Sequence, residues 1–425
     1  MNASRALSAL SLLLVACGRD PEPGPTGPQP VPLEVGQIGT VVGSGERATD
    51  PTDADADGTT DPAIPALLAK LDTPMDVAFA PDGRMFVLDW NGHKIRRLED
   101  DGRLAFVAGT GVEGDACEAT PTEGRCPATA TQLNHPTDLA FGADGTGYVS
   151  AWHNAKIKRL APDLTTVEDL CGTGDRKFEG DGATCKDAEG VQRVSFDLPS
   201  SLVVDSAGNL LVADQANQVI RRITPAGEVM TIAGSCPGTP GFGCPAGRGY
   251  EGDGGPATLA RLSNNLGQGT DPQGKIALDA AGNLYIADTG NNVVRRVAAG
   301  SDGLLGEGPP EEEIITTVAG TGRAGQAGDG GPATAAELSS PTDVTVQSDG
   351  TLYIADRSNN CIRKVDPAGV ISTLAGQCGT AGFVGEGSAA AEAALWNPYG
   401  VELSPEGNLF VADSRNHCVR EIRLR

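Results

Sequence analysis

Five aspartates recur at one position of a repeated motif: Asp89, Asp214, Asp288, Asp356 and Asp413. Each has an arginine seven residues on: Arg96, Arg221, Arg295, Arg363 or Arg420. A carboxylate in a polar turn can serve as a general base. It can equally accept backbone N–H groups of its own turn. One further copy carries Ala151 and Lys158 at the two positions, so the acid and the arginine are lost together. Joint loss is what a structural ion pair predicts. A second set, Asp76, Asp138 and Asp343, recurs with Ser201 and Lys275 at an equivalent position. Three carboxylates around one axis could hold a cation, or bind water and backbone. Histidine is scarce: His93, His135, His153 and His417 are the four in the chain. No Ser-His-Asp or Cys-His set has a signature here. The GDGG runs at Gly252 and Gly328 lack the Lys-Ser/Thr of a phosphate-cradling loop.

These residues need elements to position them, and the repeat supplies those. LYIADRSNNCIRKV from Leu352 has near copies at Met85, Tyr148, Leu210, Leu284 and Leu409. Around Pro341 the chain reads as four strands. They are Pro341 to Val346, Thr351 to Asp356, Cys361 to Asp366 and Val370 to Gly376, joined by Asp-Gly and Asn-bearing turns. Four antiparallel strands with tight turns make one propeller blade. The fourth-strand signature recurs at Phe106, Glu168, Thr231, Thr317 and Thr373. The last copy ends at Arg425 after its third strand, and IGTVVGSG from Ile38 carries the missing signature. The expectation is an all-β, six-bladed β-propeller whose ring is closed by the N-terminal strand completing the last blade.

The VAD-x-x-N-x-x-I-R-R pattern, opened by P-x-D-V-A and ended by T-x-A-G-x-G, resembles the NHL repeat. The resemblance covers Glu34 to Arg425. It implies a propeller of the kind used as a recognition surface in signalling and adhesion proteins, and as the scaffold of a peptide-amidating lyase. The fold fixes no chemistry. That lyase holds a channel zinc with histidines directly after the first-strand proline. Here those places hold Met75, Thr137, Ser200, Thr342 and Tyr399, so the motif for that zinc is absent.

The strand 2–3 turns and the long strand 4–1 connections share one face, the top. In the connections, Asp ahead of Pro-Ala and an Ala-rich run predicts a short capped helix. Trp90 and Trp152 fill one turn position of blades one and two, and Trp396 and Tyr399 enter blade six, the neighbour of blade one. With His93, His135 and His153 they map to one sector. Exposed aromatics beside polar groups mark a partner-binding surface; indoles packed between loops are the alternative. His93 and His417 share one repeat position, elsewhere Asn or Gln, and so read as repeat-position polar residues.

One connection is unlike the rest. Asp53, Asp55, Asp57 and Asp61, with Gly58, resemble the calcium loops of thrombospondin-type and EF-hand-like repeats. Alternating carboxylates let a loop wrap a hard cation. No Glu closes it, so it is a candidate calcium loop and not an EF-hand; a solvated acidic loop is the alternative.

The start reads as an export signal: Arg5, then an apolar run from Ala6 to Ala16 too short to span a bilayer. Leu14-Val15-Ala16-Cys17 resembles a bacterial lipobox, which makes residues 1–16 a lipoprotein signal and Cys17 the lipidated residue. Residues 17–33 are a Pro-rich tether, and 34–425 the propeller. In an exported chain the pairs Cys117/Cys126, Cys171/Cys185 and Cys236/Cys244, each close in sequence and expected in loops, read as disulfides. An antiparallel pairing could also join Cys361 to Cys378, leaving Cys418 a buried thiol. The formal charge of −24 argues against nucleic acid and against anionic membrane surfaces, the lipid anchor aside. The expected protein is a monomeric, envelope-anchored module that binds a protein or a polysaccharide. The alternative is a metal-dependent lyase or hydrolase at the channel mouth.

Overall fold

The computed structural model describes residues 29–48, 63–237, 244–265 and 269–425. Six antiparallel sheets make six blades. Blade five is typical: Pro341–Val346, Leu352–Asp356, Cys361–Val365 and Ile371–Ala375 lie side by side in chain order, the first innermost. Blade six takes its fourth strand from the other end of the chain. Gln37–Val42 pairs with Cys418–Ile422, matching Ile38 to Ile422 and Thr40 to Arg420. The ring closes as the split signature required, which removes the open edge between first and last blades. Apolar clusters fill the seams. Leu88 and Ile95 of blade one, for example, pack against Leu139 and Val149 of blade two.

The long connections differ from the capped helices the sequence predicted. Four of them make one turn of 3₁₀ helix directly after a proline and without a side-chain cap, at Ala66–Leu68, Ala128–Ala130, Ala257–Leu259 and Ala333–Ala335. A fifth, Ala390–Glu392, follows Ala389, and the connection from Cys171 to Pro199 makes none. Their acidic residues are engaged elsewhere. Asp253 lies 2.5 Å from Arg295 and accepts the Thr317 N–H at 2.9 Å; Asp329 lies 2.5 Å from Arg363 and accepts the Thr373 N–H at 3.0 Å. In blade six Glu386 binds Arg420 at 3.2 Å and the Thr40 N–H at 2.8 Å, which pins the closing strand. Three connections also add a short fifth strand outside their blade: Ala63–Pro65, Cys126–Pro127 and Ser388–Ala389.

The recurrent aspartates are wholly buried and structural. Asp214 accepts the Asp197 N–H at 2.7 Å through one oxygen and the Asn217 amide at 2.8 Å through the other. Asp288, Asp356 and Asp413 repeat this pattern with Asn291, Asn359 and Asn416. Their arginines follow at 3.2 to 4.0 Å. Burial pushes the carboxyls of Asp214, Asp288 and Asp413 up to about 7 and that of Asp356 to about 6. The N–H donors and arginine around each one pull the other way and favour the carboxylate. In blade two a different cluster fills the space: Lys156 and Lys158 each bridge Asp115 and Asp169 at 2.5 to 2.7 Å.

Among the described residues there are four disulfides: Cys117–Cys126, Cys171–Cys185, Cys236–Cys244 and Cys361–Cys378. The pairings are those expected, but the loop setting is corrected. Cys126 and Cys171 lie in strands, and Cys185 and Cys244 are buried, each only 4% exposed. Cys185 belongs to the apolar cluster of Ile157, Val194 and Phe196, so its connection folds inward over the blade. Cys244 is drawn in by its backbone, whose N–H donates to the Ala216 carbonyl at 2.7 Å just before the 3₁₀ turn Pro245–Gly247. The Cys171–Cys185 and Cys361–Cys378 bridges fasten long connections onto blade strands, Cys236–Cys244 closes a loop within one connection, and pairing leaves these sulfurs no ligand role. Cys418 is a buried free thiol, as expected, and burial pushes its pKa up.

Removing one partner of a buried ion pair strands the other. Arg363→Met should therefore lower the unfolding free energy by about 3–5 kcal/mol. Adding Asp356→Asn should recover part of that loss. Urea denaturation of the two single variants and the double variant measures this, and a double-variant loss equal to the sum of the single losses would mean the pair is uncoupled.

Candidate functional site

Two places gather chemistry-bearing side chains: the axis and the top rim. At the axis the inner strands converge and bring Asp76, Asp138, Ser201, Lys275 and Asp343 together, all buried. The sixth blade has Gly400 at this level, where an added Cβ would sit 2.6 Å from the Met75 carbonyl oxygen and 2.9 Å from Asp76 Oδ1. Lys275 Nζ lies 2.6 Å from Asp76 and 3.5 Å from Asp343. Asp138 accepts the Ser201 hydroxyl at 2.5 Å and the Leu202 N–H at 3.0 Å. Asp343 accepts the N–H groups of Val344 and Val401 at 2.7 and 3.0 Å. The carboxylate ring thus contains its own cation. Burial opposes the Lys275 charge, yet Asp343, Asp76 and Asp138 together raise its pKa. Burial raises Asp76 and Asp343 in turn, and Lys275 works against that rise.

A cavity of about 390 Å³ runs from this ring toward the Asp-Gly-turn face. Small residues line its next layer, Ala78, Ala140 and Ala277 among them, with one acid, Glu402. Burial, then the charges of Asp343 and Asp138, pushes Glu402 up to about 8, so it holds a proton at neutral pH. On the other side of the ring, Met75, Thr137, Ser200, Thr342 and Tyr399 are all buried. Ser200 donates to the Gln273 carbonyl at 2.5 Å and Thr342 to that of Tyr399 at 2.9 Å, stitching neighbouring inner strands.

On the top rim the structure brings together part of the expected sector. The His135 ring centroid is 4.5 Å from Trp90, 4.5 Å from His93 and 4.6 Å from His153, which stacks on Trp152 at 4.2 Å. Burial, then the neighbouring His93 and His153, lowers His135 to about 3. Two of the expected contact residues are not surface groups. Trp152 is wholly buried, its indole N–H donating to Gln215 Oε1 at 3.2 Å, and Tyr399 is buried beneath Arg357. Here the packed alternative holds, because the seam between blades two and three needs a large filler. Trp90 is half-buried against Trp152, and Trp396 is 47% exposed, outside this ring cluster.

His93 and His417 have a specific repeat role. Nδ1 of His93 accepts the His135 N–H at 3.3 Å, and that of His417 accepts the Thr73 N–H at 3.2 Å. Asn292, Asn360 and Gln218 make the same inter-blade bond through amide oxygens. An acceptor must be neutral, and burial lowers both histidines accordingly.

Sequence reasoning missed Glu402 and Glu113. Glu402 sits two residues beyond the glycine that breaks the axial pattern, so periodicity along the inner strand was the available signal. Glu113 lies in an irregular connection and gave none. The candidate calcium residues Asp53, Asp55, Asp57 and Asp61, and the lipobox Cys17, lie outside the described residues.

Comparison with known proteins agrees on the repeat. The family model described as the teneurin NHL domain matches residues 313–383, and the NHL repeat model matches 395–422. Teneurin-1 of Mus musculus is 25% identical over 417 residues, 91% of this chain and 13% of its own. Teneurin-4 of Homo sapiens is 27% identical over 415 residues, again 91% and 13%. The chain therefore spans 13% of the length of these relatives. Among solved structures, an auxiliary nutrient binding protein from Bacteroides thetaiotaomicron aligns with TM-score 0.59 and 13% identity, covering 90% of this chain and 75% of that one. Another, from Bacteroides ovatus, gives 0.56 and 15%, with 90% and 75% covered. These likenesses support six NHL-type blades and show the fold.

If Lys275 neutralises the axis, Lys275→Met should destabilise the protein at pH 7 by about 3–5 kcal/mol. Without the ammonium, Asp76 and Asp343 titrate still further above their unfolded value near 4. The native state then binds more protons than the unfolded one, so the deficit should shrink as pH falls toward about 4. Chemical denaturation between these pH values measures it. A pH-independent deficit would contradict the assignment.

Proposed function

We propose that the chain is an exported recognition module that binds a protein or a polysaccharide through its top rim. The carrying observation is a contrast. The repeated acids are consumed internally by arginines and by Lys275, whereas Phe383, Val384 and Trp396 stand exposed on one connection. Bridges between Ala381 and Leu395, and between Val384 and Ala394, hold its two arms together. Exposed aromatic and aliphatic side chains on a fixed backbone suit a partner surface or a sugar face. Four disulfides fit an oxidising compartment. In this reading Cys17 carries a lipid, residues 17–33 tether the monomeric propeller to the envelope, and the acidic loop at Asp53 to Asp61 takes calcium. The net charge of −24 keeps nucleic acid off the list of partners. That solved propellers of this shape include ones described as nutrient binding is consistent with a ligand-binding scaffold.

A second reading rests on Glu402. A protonated carboxyl facing a cavity of about 390 Å³ could act as a general acid in a lyase or hydrolase. Lys275 fills the place a metal would need at the ring, which sets this reading second.

The test is capture of envelope proteins and cell-wall polysaccharides on the immobilised chain. Trp396→Ala with Val384→Asp should weaken capture by about tenfold or more while leaving the melting temperature unchanged. Undiminished capture would reject the rim. Separately, Cys17→Ser should move the protein from the membrane fraction to the soluble fraction. Continued membrane association would remove the lipid anchor from the account.

A further inference from the structure

We propose that Glu113, His135 and His153 form a binding site for a divalent transition metal, zinc in the first instance, on the top rim between blades one and two. The proposal stands independently of the partner-binding reading. Each residue offers one donor atom, and the three atoms lie within 4.8 Å of one another. Two ring nitrogens, Nδ1 of His135 and Nδ1 of His153, are 3.0 Å apart. Zinc bonds of about 2.0–2.1 Å meeting at a tetrahedral angle hold their donors about 3.3–3.4 Å apart. The pair is therefore nearly spaced for one ion, and the carboxylate must close by at most about 1.5 Å.

The surroundings fit a ligand set better than a packing cluster. Asn134 Oδ1 also faces His135 Nδ1, at 2.7 Å. A single ring proton facing both the amide oxygen and the second imidazole makes a three-centre bond; a cation would take both ring lone pairs in place of that proton, with the amide oxygen beside it as a further donor. The rings are also held in place: His153 stacks on Trp152, and His135 is wedged among Trp90, His93 and His153. The His135 backbone is fixed by the bond its N–H gives to His93, and Asn154 ties down the Glu113 connection through the Gly114 carbonyl at 2.8 Å. Rigid support of ligand rings is what raises affinity at a metal site. Imidazole and carboxylate together select zinc, copper or nickel over calcium, which takes oxygen donors. Three protein ligands leave a fourth position for water or a donor from a bound partner. Three of the four histidines in the chain meet here, and two of them are not needed as blade staples.

The test uses untagged full-length protein, stripped with chelator and kept in excess calcium so that any hard-cation loop is saturated. Zinc titration by calorimetry should show one ion per chain, and Co(II) should give the intense visible bands of a four-coordinate N/O site. Glu113→Gln, a change at an exposed position that cannot unfold a blade, should weaken zinc by about tenfold or more. His153→Gln should abolish the cobalt bands, and His417→Gln, remote from the cluster, should leave them intact. Unchanged zinc affinity in Glu113→Gln together with unchanged cobalt bands in His153→Gln would overturn the proposal, as would failure of the wild-type chain to bind zinc.

Discussion

The fold depends on one recurring interaction, the buried arginine of the third strand held between two acids. One acid comes from the turn of its own blade, the other from the long connection that packs over it. For Arg363 these are Asp356 at 3.2 Å and Asp329 at 2.5 Å. Asp329 also takes the N–H of the fourth strand, so a single guanidinium ties turn, connection and outer strand together. A charge so buried requires full pairing. That requirement explains why the motif is copied almost without change, and why blade two, lacking both partners, builds a compact lysine–aspartate cluster instead.

The same economy of charge governs the axis. Six inner strands converge where little water can enter, and three of them present carboxylates. Lys275 lies among them, and backbone N–H groups also bind Asp138 and Asp343. The axial acids are thus part of the ring's own closure. Glu402, one layer further along, lacks the cation that Asp76 and Asp343 touch, and burial with the axial charges pushes it up to about 8.

The blades were legible in the sequence because each repeats the same alternation and the same punctuation, and the missing fourth strand of blade six was plainly present near Ile38. The pairing of Cys361 with Cys378 was within reach because strands three and four are antiparallel neighbours. What was hidden depends on packing across seams. A tryptophan in a polar turn looks exposed, yet Trp152 fills the seam against blade three, where Leu198 and Ala216 leave room for it. Cys185 and Cys244 sit among polar and glycine-rich neighbours that read as surface loop, yet both are packed inward. The acids before Pro-Ala looked like helix caps, because their true partners, arginines some 34 to 42 residues away, are invisible to local pattern. His93 and His417 stand at a position otherwise held by Asn or Gln, which the repeat shows, while the inter-blade bond they make there is visible only in the folded chain.

The central claim is that repeated charges are internal to the scaffold, and that recognition falls to the places where the repeat departs from itself. The most direct measurement is a crystal structure from crystals soaked in manganese or calcium, with anomalous difference density calculated along the axis. The account predicts no ion at the carboxylate ring, with Lys275 Nζ still in contact with Asp76. An ion between Asp76, Asp138 and Asp343, with Lys275 displaced, would contradict it.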